Sequence, residues 1–395
     1  MSSLAADLDE LARIGADNGG VSRFAWTPEL QAANEWLLER LEQLGFEGAV
    51  DPAGNVIGRW QAGEGKALLV GSHLDTVPRG GRYDGALGVC AALEAVRSLR
   101  REGVEPTRPV WLVSFNDEEG TRFRTGMLGS RAFAGECELA DWETRGVPEA
   151  MRQGGFDFER LADARAIEEV GAYLELHIEQ GPRLEREGID LGIVTGIVGL
   201  LGFRARYLGE ANHAGTTPME LRRDALAGAS RAVLALRDEA RAGDDMTANV
   251  GLIKVEPGGF NVIPGEAEFT IDVRSPTAEG FARVEGFVHE TLTKIAAEEG
   301  LDLDLAQTQR LDPVPLDASL QDTLEQAAEA EGASTIRLPS GAGHDAMVLG
   351  RHVPAGMLFV PSRGGVSHNP SEFTPPEQCE LGARVLARAV HALVT

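Results

Sequence analysis

The pattern of apolar and polar positions along the chain alternates between two kinds of segment. Apolar side chains recur at helical spacing through residues 4–45, and short apolar runs then alternate with amphipathic stretches. The runs predict strands and the stretches predict helices, at 66–71 (strand), 86–101 (helix), 109–115 (strand), 172–178 (strand), 355–360 (strand) and 377–394 (helix). This alternation is typical of an α/β/α domain with a largely parallel, mixed sheet.

The middle of the chain follows a different pattern. Strand-like and helical segments succeed one another in the order βαββαβ, at 202–208, 219–241, 247–256, 266–274, 278–299 and 301–306. This order is typical of a ferredoxin-like α+β domain. We therefore predict two domains: residues 1–195 together with 308–395, and residues 196–307 inserted between them.

Composition and charge narrow the class of protein. The 395 residues are 43% hydrophobic and 25% charged, as in ordinary globular proteins. The 62 acidic residues outnumber the 37 basic ones and give a net charge of −25, which argues against nucleic-acid or anionic-membrane partners because both require basic surfaces. No apolar stretch approaches the roughly 20 residues of a membrane span, and the N-terminal segment lacks an export-signal pattern. We expect a cytoplasmic protein.

Histidines and acids concentrate in four short segments, each after a predicted strand: GSHLDTVPRGGRYDG (71–85), SFNDEEG (114–120), ELHIEQG (175–181) and GGVSHNP (364–370). Ligands of open α/β sheets bind at the carboxyl ends of strands. Imidazoles and carboxylates without thiolates favour zinc, manganese or a related divalent ion, and this number of ligands suits a two-metal site. The three cysteines are far apart and form no C-x-x-C motif. Glu118 and Glu119 are adjacent, so one can bind metal while the other acts as a base.

The inserted domain carries a second set of polar residues. His213 precedes a predicted helix, Asn261 lies in GGFNVIP (258–264), and Arg274 ends a predicted strand. An imidazole, an amide and a guanidinium can bind an oxyanion and a carboxylate, although Arg274 can equally pair with Asp272.

Two other motifs predict little. GAGHDA (341–346) matches a dinucleotide-binding pattern, but the acidic residue about 20 positions further on and the βαβ unit are missing. The G-x-S-x-G motif of serine hydrolases does not occur.

Eight segments of the chain resemble the amidase/hydantoinase-carbamoylase branch of the zinc-dependent aminoacylase and carboxypeptidase superfamily. The resemblance extends over nearly the whole chain, from about Gly19 to the C-terminus. The segments that carry it read GSHLDTVPRGGRYDGALGV, NDEEGTRFRTGMLGSRAFAG, ELHIEQGP, NHAGTTPMELRRD, NVIPG, DVRS, PSGAGHDA and GVSHNP. Within this branch, DEEGTRFRTGMLGSRAFAG and GIVTGIVGL are most similar to N-carbamoyl-L-amino acid hydrolases. The implied reaction is cleavage of the carbamoyl C–N bond to give the amino acid, ammonia and carbon dioxide.

The resemblance implies two divalent ions, zinc in the first place, with manganese or cobalt as alternatives. One ion would be held by His73, Asp84 and His177. The other would be held by Asp84, Glu119 and His368, with Asp84 bridging. Asp75 would orient His73, and Glu118 would be the general base.

The resemblance also implies a set of substrate contacts: Gln180, His213, Asn261, Arg274 and Gly343. Arg274 would bind the α-carboxylate, and His213 would stabilise the oxyanion, either in its own subunit or across a dimer. The relatives are homodimers joined through the inserted domain, which closes over the substrate as a lid. Alternative activities are hydrolysis of allantoate or another ureido acid, a dipeptidase or aminoacylase reaction, and a non-catalytic metal-binding role.

Overall fold

The structure is a computed structural model that describes residues 2–243 and 245–395. The chain forms two compact units. The first unit comprises Met1–Thr195 and Leu316–Thr395, and the second unit comprises Gly196–Pro315. The C-terminal boundary falls later than residue 307, where the sequence pattern predicts it, because a strand of the second unit continues through that position to Leu311.

The strands of the described chain, in order, are β1 (Ala16–Asp17), β2 (Gly20–Val21), β3 (Glu47–Val50), β4 (Val56–Trp60), β5 (Ala67–His73), β6 (Val110–Phe115), β7 (Val170–Ile178), β8 (Leu191–Ile197), β9 (Gly199–Leu208), β10 (Asn212–His213), β11 (Thr247–Glu256), β12 (Val262–Ile263), β13 (Glu266–Ser275), β14 (Asp302–Leu311), β15 (Val314–Pro315), β16 (Thr335–Ser340) and β17 (Ala355–Val360).

The α-helices are α1 (Ser3–Leu11), α2 (Pro28–Gln43), α3 (Ala86–Arg101), α4 (Leu128–Ala134), α5 (Leu139–Thr144), α6 (Val147–Gln153), α7 (Arg183–Glu187), α8 (Ala225–Ala242), α9 (Ala278–Glu298), α10 (Ala318–Ala330), α11 (Asp345–Leu349) and α12 (Pro376–Val394). Short 3-10 helices span Phe158–Ala164, Ile167–Glu169, Met219–Leu221 and Arg363–Gly365. No described helix is both long enough and apolar enough to cross a membrane.

A nine-stranded sheet organises the first unit. Its strand order is β15-β8-β17-β7-β5-β6-β4-β3, with β16 paired to β8. The central strands β17, β7, β5 and β6 pair in parallel, whereas β8, β15, β4 and β3 pair antiparallel around them. The α/β class is confirmed, and the parallel pairs β17–β7, β7–β5 and β5–β6 lie at the centre of the sheet.

The parallel centre of the sheet is buried on both faces. Every residue of β5, β6 and β17 is buried, as expected for strands that are covered on both faces. Side chains such as Leu68 and Val70 of β5 share one hydrophobic core with α3 and α12. These apolar strands end in polar loops at one edge of the sheet.

The second unit has a four-stranded antiparallel sheet in the order β11-β13-β9-β14 and a two-stranded ribbon of β10 and β12. Its main elements follow the order βαββαβ. Helix α8 begins at Ala225 rather than at residue 219, because the Asp224 carboxylate accepts the N–H groups of Leu226 and Ala227 and thereby caps the helix there. Pro218 precedes only a single 3-10 turn.

Two other expectations differ from the structure. The helical pattern of residues 4–45 is divided into α1 and α2 by the short strands β1 and β2. The strand predicted over residues 66–71 extends to His73, so this histidine is the last residue of β5 rather than part of the loop.

Candidate metal centre

Four central strands deliver the candidate ligands to one edge of the first unit's sheet. β5 ends at His73, β7 carries His177 next to its last residue, and β6 is followed within four residues by Glu119. The loop after β17 carries His368. Since these strands are parallel, their carboxyl ends meet at the same edge, where ligands bind in open α/β sheets.

The structure brings these four side chains and Asp84 into two groups that can hold a cation. His73, Asp84 and His177 form one group, and Asp84, Glu119 and His368 form the other. Within each group the potential ligand atoms lie within 4.8 Å of one another. Asp84 belongs to both groups.

The two oxygens of Asp84 face different histidines. Oδ1 lies 3.2 Å from Nε2 of His177 and 3.7 Å from Nε2 of His73. Oδ2 lies 3.5 Å from Nε2 of His368, whose Nε2 is also 3.3 Å from Glu119 Oε2. A carboxylate in this position can bridge two cations.

The two buried histidines present unused lone pairs to this cluster. His73 and His177 are each only 1% exposed, and the Nε2 atom of each has no hydrogen-bond partner. Their Nδ1 atoms lie 3.1 Å and 2.9 Å from the carbonyl oxygens of Asp75 and Ile178. Because a carbonyl can only accept, Nδ1 carries a hydrogen in each ring, and Nε2 is the atom that can bind a cation when the ring is neutral. Buried polar atoms normally have partners, so this donor set fits a bound cation.

The electrostatics of the cluster favour a positive charge. Burial, reinforced by neighbouring carboxylates, raises the pKa of Glu118 and Glu119 well above that of an ordinary glutamate. Burial also lowers the pKa of His73 to about 4, which keeps this imidazole neutral. A divalent cation would compensate the crowded carboxylates and use the neutral imidazole as a ligand.

Asp75 holds the loop that carries the two glutamates. Its carboxylate accepts the N–H groups of Glu118 and Glu119, each at 3.1 Å. The same carboxylate is 3.7 Å from Nδ1 of His73, which contacts the Asp75 carbonyl instead. Asp75 therefore fixes His73 through its main chain and the glutamates through its side chain. Glu118 belongs to neither ligand group, although its Oε2 is 3.7 Å from His73 Nε2.

Unusual backbone conformations occur at the same edge. Asp117, Gln180 and His368 have φ values of 58°, 56° and 55°, in the left-handed region that non-glycine residues rarely adopt. Gly85, with φ of 63°, packs so closely on His73 that a Cβ atom there would lie 2.4 Å from the imidazole. Such conformations cluster at functional sites, where the surrounding structure enforces them.

Gln180 and Gly343 also lie in the first unit. The Gln180 amide donates to Asp84 Oδ2 at 2.8 Å, and its nitrogen lies 3.5 Å from His368 Nε2. A Cβ atom built on Gly343 would lie 3.7 Å from Met127 Cε, an ordinary contact distance. Gln180 thus contacts the candidate ligands directly.

The remaining predicted residues lie in the second unit. His213 and Asn261 are exposed beside the β10–β12 ribbon, where the Asn261 carbonyl accepts the N–H of Ala214 at 2.9 Å. Arg274, on β13, donates to Asp272 at 3.1 Å, which is the pairing that the sequence left open.

Sequence reasoning missed two buried residues next to this centre. The His344 ring centroid lies 4.4 Å from that of His177, and Glu175, His177 and His344 form a third group of potential ligands. Glu175 accepts the Ser72 hydroxyl at 2.7 Å. A histidine in a glycine-containing loop after a strand is the signal that marked the other segments. GAGHDA carries the same signal, but its incomplete match to a nucleotide-binding pattern excludes that role and leaves His344 without a predicted one.

The chain is similar to known proteins over nearly its whole length. The chain is 42% identical to an N-carbamoyl-L-amino acid amidohydrolase of Geobacillus stearothermophilus, over 98% of this chain and 97% of that one. It is 37% identical to an allantoate amidohydrolase of Bacillus subtilis, over 99% and 97% of the two chains. The crystal structure of a hydantoinase/carbamoylase family amidase from Burkholderia multivorans superposes with a TM-score of 0.91 at 37% identity and covers 99% of this chain and 97% of its own.

A family model described as peptidase family M20/M25/M40 matches residues 69–392, which include all five candidate ligands. With this match and with relatives of more than 30% identity along its whole length, the chain belongs to the M20/M25/M40 peptidase family.

Proposed function

We propose that the protein is a metal-dependent amidohydrolase that cleaves the carbamoyl C–N bond of N-carbamoyl-L-amino acids. One water is consumed, and the products are the L-amino acid, ammonia and carbon dioxide. The observation that carries this proposal is the pair of ligand groups that share Asp84, with Glu118 beside them but in neither group. The similarity to N-carbamoyl-L-amino acid amidohydrolases supports the choice of substrate.

His73, Asp84 and His177 would hold one cation, and Asp84, Glu119 and His368 the other. Three histidines and carboxylate oxygens without thiolates suit Zn²⁺, with Mn²⁺ and Co²⁺ as alternatives. When bound, such ions supply Lewis-acid polarisation and compensate negative charge.

Glu118 would act as the general base and then as the general acid. Its main-chain N–H is fixed by Asp75, which holds the carboxylate beside the ligand cluster without making it a ligand. The carboxylate would take a proton from the attacking water and return it to the leaving nitrogen, so that Glu118 ends the cycle ionised.

Five residues would contact the substrate, and two of these have assigned roles. Arg274 would bind the α-carboxylate through its guanidinium, in competition with Asp272, its partner in the structure. His213 would stabilise the tetrahedral oxyanion. The contacts proposed are Gln180, His213, Asn261, Arg274 and Gly343.

We also propose that the second unit serves as a lid and as the dimerisation domain of a homodimer. Nine large apolar side chains are exposed among the described residues, and seven of these nine belong to this unit: Met219, Leu221, Leu226, Leu234, Leu252, Ile253 and Phe260. Leu252 and Ile253 lie on β11, an edge strand of the four-stranded sheet. Exposed apolar edge strands favour pairing with another chain. The cytoplasmic location stays a prediction.

A second candidate substrate is allantoate or another ureido acid. The relatives that carry the name allantoate amidohydrolase, from Bacillus subtilis and Escherichia coli, match nearly the whole chain at 37% and 34% identity. The metal-ligand motifs do not distinguish the two substrates, because in both reactions water attacks the carbonyl carbon of a ureido group.

A side-by-side assay tests the choice of substrate. Ammonia release would be measured with N-carbamoyl-L-methionine, N-carbamoyl-β-alanine and allantoate, and amino acid release with N-acetyl-L-methionine and a dipeptide, all at the same Zn²⁺, Mn²⁺ or Co²⁺ concentration. We expect the highest kcat/KM with N-carbamoyl-L-methionine. Turnover of allantoate alone, or of the acetylated or peptide substrates alone, would reject the proposal.

A further inference from the structure

Glu372 is a buried carboxylate that lies four residues after His368 and is only 5% exposed. It belongs to neither ligand group, and no motif in the sequence marks it. Buried carboxylates are rare unless their oxygens are satisfied, so the donors around Glu372 indicate what it does.

The donors come from the two loops that carry cation ligands. Oε1 of Glu372 accepts the main-chain N–H groups of Tyr83 at 2.9 Å and Asp84 at 3.1 Å. Oε2 accepts the hydroxyl of Ser367, the neighbour of His368, at 3.1 Å. One carboxylate therefore joins the Asp84 loop to the His368 loop.

Ser367 extends this connection to the Asp84 side chain. Its Oγ lies 2.8 Å from Asp84 Oδ2, the oxygen that faces His368. Asp84 is thereby held at its main-chain nitrogen by Glu372 and at its carboxylate by Ser367. Both constraints act on the residue that the two ligand groups share.

The glycine at position 81 leaves space for the Glu372 carboxylate. A Cβ atom on Gly81 would lie 2.0 Å from Glu372 Cδ, so a side chain at position 81 would displace the glutamate. Two buried carboxylates that share one hydroxyl also repel each other, and a cation on Asp84 would offset this repulsion.

We propose that Glu372 is a positioning residue of the metal centre. It fixes the Asp84 and His368 loops relative to each other and so sets the affinity for the cation that Asp84, Glu119 and His368 would hold. This inference rests on the metal centre of the proposed function. Residues that orient metal ligands typically contribute 10- to 100-fold to metal affinity.

Three variants separate hydrogen bonding from volume. E372Q should still connect the two loops. Its amide oxygen can accept the N–H groups of Tyr83 and Asp84, and its amide N–H can donate to the Ser367 oxygen, which leaves the Ser367 hydrogen for Asp84. E372M has a similar length but no strong acceptor. E377M makes the same change at an exposed glutamate at the start of α12 and is the matched control.

The readout is cation binding rather than activity. Chelator-treated proteins would be titrated with Co²⁺, with the visible spectrum and the bound metal per chain as signals. We expect wild type, E372Q and E377M to bind two equivalents with equal affinity, and E372M to bind at least one of them about 10- to 100-fold more weakly. Circular dichroism would verify that the variants are folded.

Other outcomes would overturn the inference. Wild-type affinity in E372M would show that Glu372 does not position the ligands, and equal losses in E372Q and E372M would show that its hydrogen bonds are not the cause. If E372M does not fold, S367A tests the same connection: we expect about tenfold weaker binding, and unchanged binding would refute the role. Failure of wild type to bind Co²⁺, Zn²⁺ or Mn²⁺ would reject the metal centre itself. Two tight sites in both wild type and E372M would reject only the role of Glu372.

Discussion

The carboxyl edge of the first unit's sheet and the ribbon of the second unit organise their polar residues in opposite ways. At the sheet edge, His73 and His177 are buried, and each is fixed by a main-chain carbonyl. On the ribbon and directly before its second strand, His213 and Asn261 are exposed to solvent. Water can satisfy an exposed polar group, whereas a buried one requires a partner. The buried set therefore points to a bound cation, while the exposed set gains a role only through a substrate.

We expect the largest effect on activity when the cations are removed from the buried ligands at the sheet edge. Treatment with a chelator should lower ammonia release by about 10³-fold or more, since such ions contribute several kcal/mol to the reaction. Far-UV circular dichroism should change little, and Zn²⁺, Mn²⁺ or Co²⁺ should restore the rate. Full activity after verified metal removal would show that the buried residues at the sheet edge do not act through a bound cation.

Glu118→Gln tests the buried set without removing a ligand. We expect kcat to fall by roughly 10²- to 10⁴-fold, the usual contribution of general acid–base catalysis, with little change in KM. Glu187→Gln, at an exposed glutamate of α7 in the same unit, is the control and should retain wild-type kinetics. Steady-state turnover of N-carbamoyl-L-methionine gives kcat and KM for both variants. Substantial turnover by E118Q would show that Glu118 is not the general base.

Arg274→Ala tests the second unit. We expect KM to rise by roughly 10- to 100-fold, as for loss of a hydrogen-bonded charge pair, while the cation content stays unchanged. The loss should disappear with the methyl ester of the substrate, which lacks the carboxylate charge. An equal loss with acid and ester would show that Arg274 does not bind the carboxylate.

The smallest effects compare the stability of the two units through equivalent helix caps. Asp224 caps α8 in the second unit and Asp317 caps α10 in the first, each by accepting main-chain N–H groups. Replacement by Ala should lower the free energy of unfolding by about 1 kcal/mol in each case. Denaturant unfolding with a probe in each unit should show the loss in the unit that carries the change, and a uniform loss would indicate one cooperative unit.

The Asp317 cap should also depend on pH. Donation by the Ser319 hydroxyl and by the Leu320 N–H lowers the pKa of Asp317 below its usual value. A depressed pKa in the folded state stabilises above the unfolded value of about 4 and ceases to do so as the pH falls through the folded value. The difference between wild type and D317A should therefore shrink in acid.

The sequence predicts the central strands and most of the residues that the structure gathers at their carboxyl ends, for one physical reason. Strands buried on both faces are continuous apolar runs, so β6 and β17 are visible as such, and the polar loops behind them are conspicuous by contrast. The exposed strand β3 and the glycine-containing strand β8 lack that contrast and are missed.

Burial of single polar residues far apart in sequence is the part that the sequence does not predict. Glu372 contacts Tyr83 across 289 positions, and His344 lies against His177 only because α11 begins beside β7. Neither contact has a local pattern. The C-terminal domain boundary is also displaced, since apolar alternation weakens in the second half of β14 while its pairing with β9 continues to Leu311.

The central claim is that two adjacent glutamates have different roles, with Glu119 binding a cation and Glu118 moving a proton. Counting the metal bound per chain in E118Q and E119Q after dialysis against Zn²⁺ tests it most directly. We predict two equivalents in wild type and in E118Q, and one tightly bound equivalent in E119Q. Two equivalents in E119Q, or fewer than two in wild type or E118Q, would contradict the account.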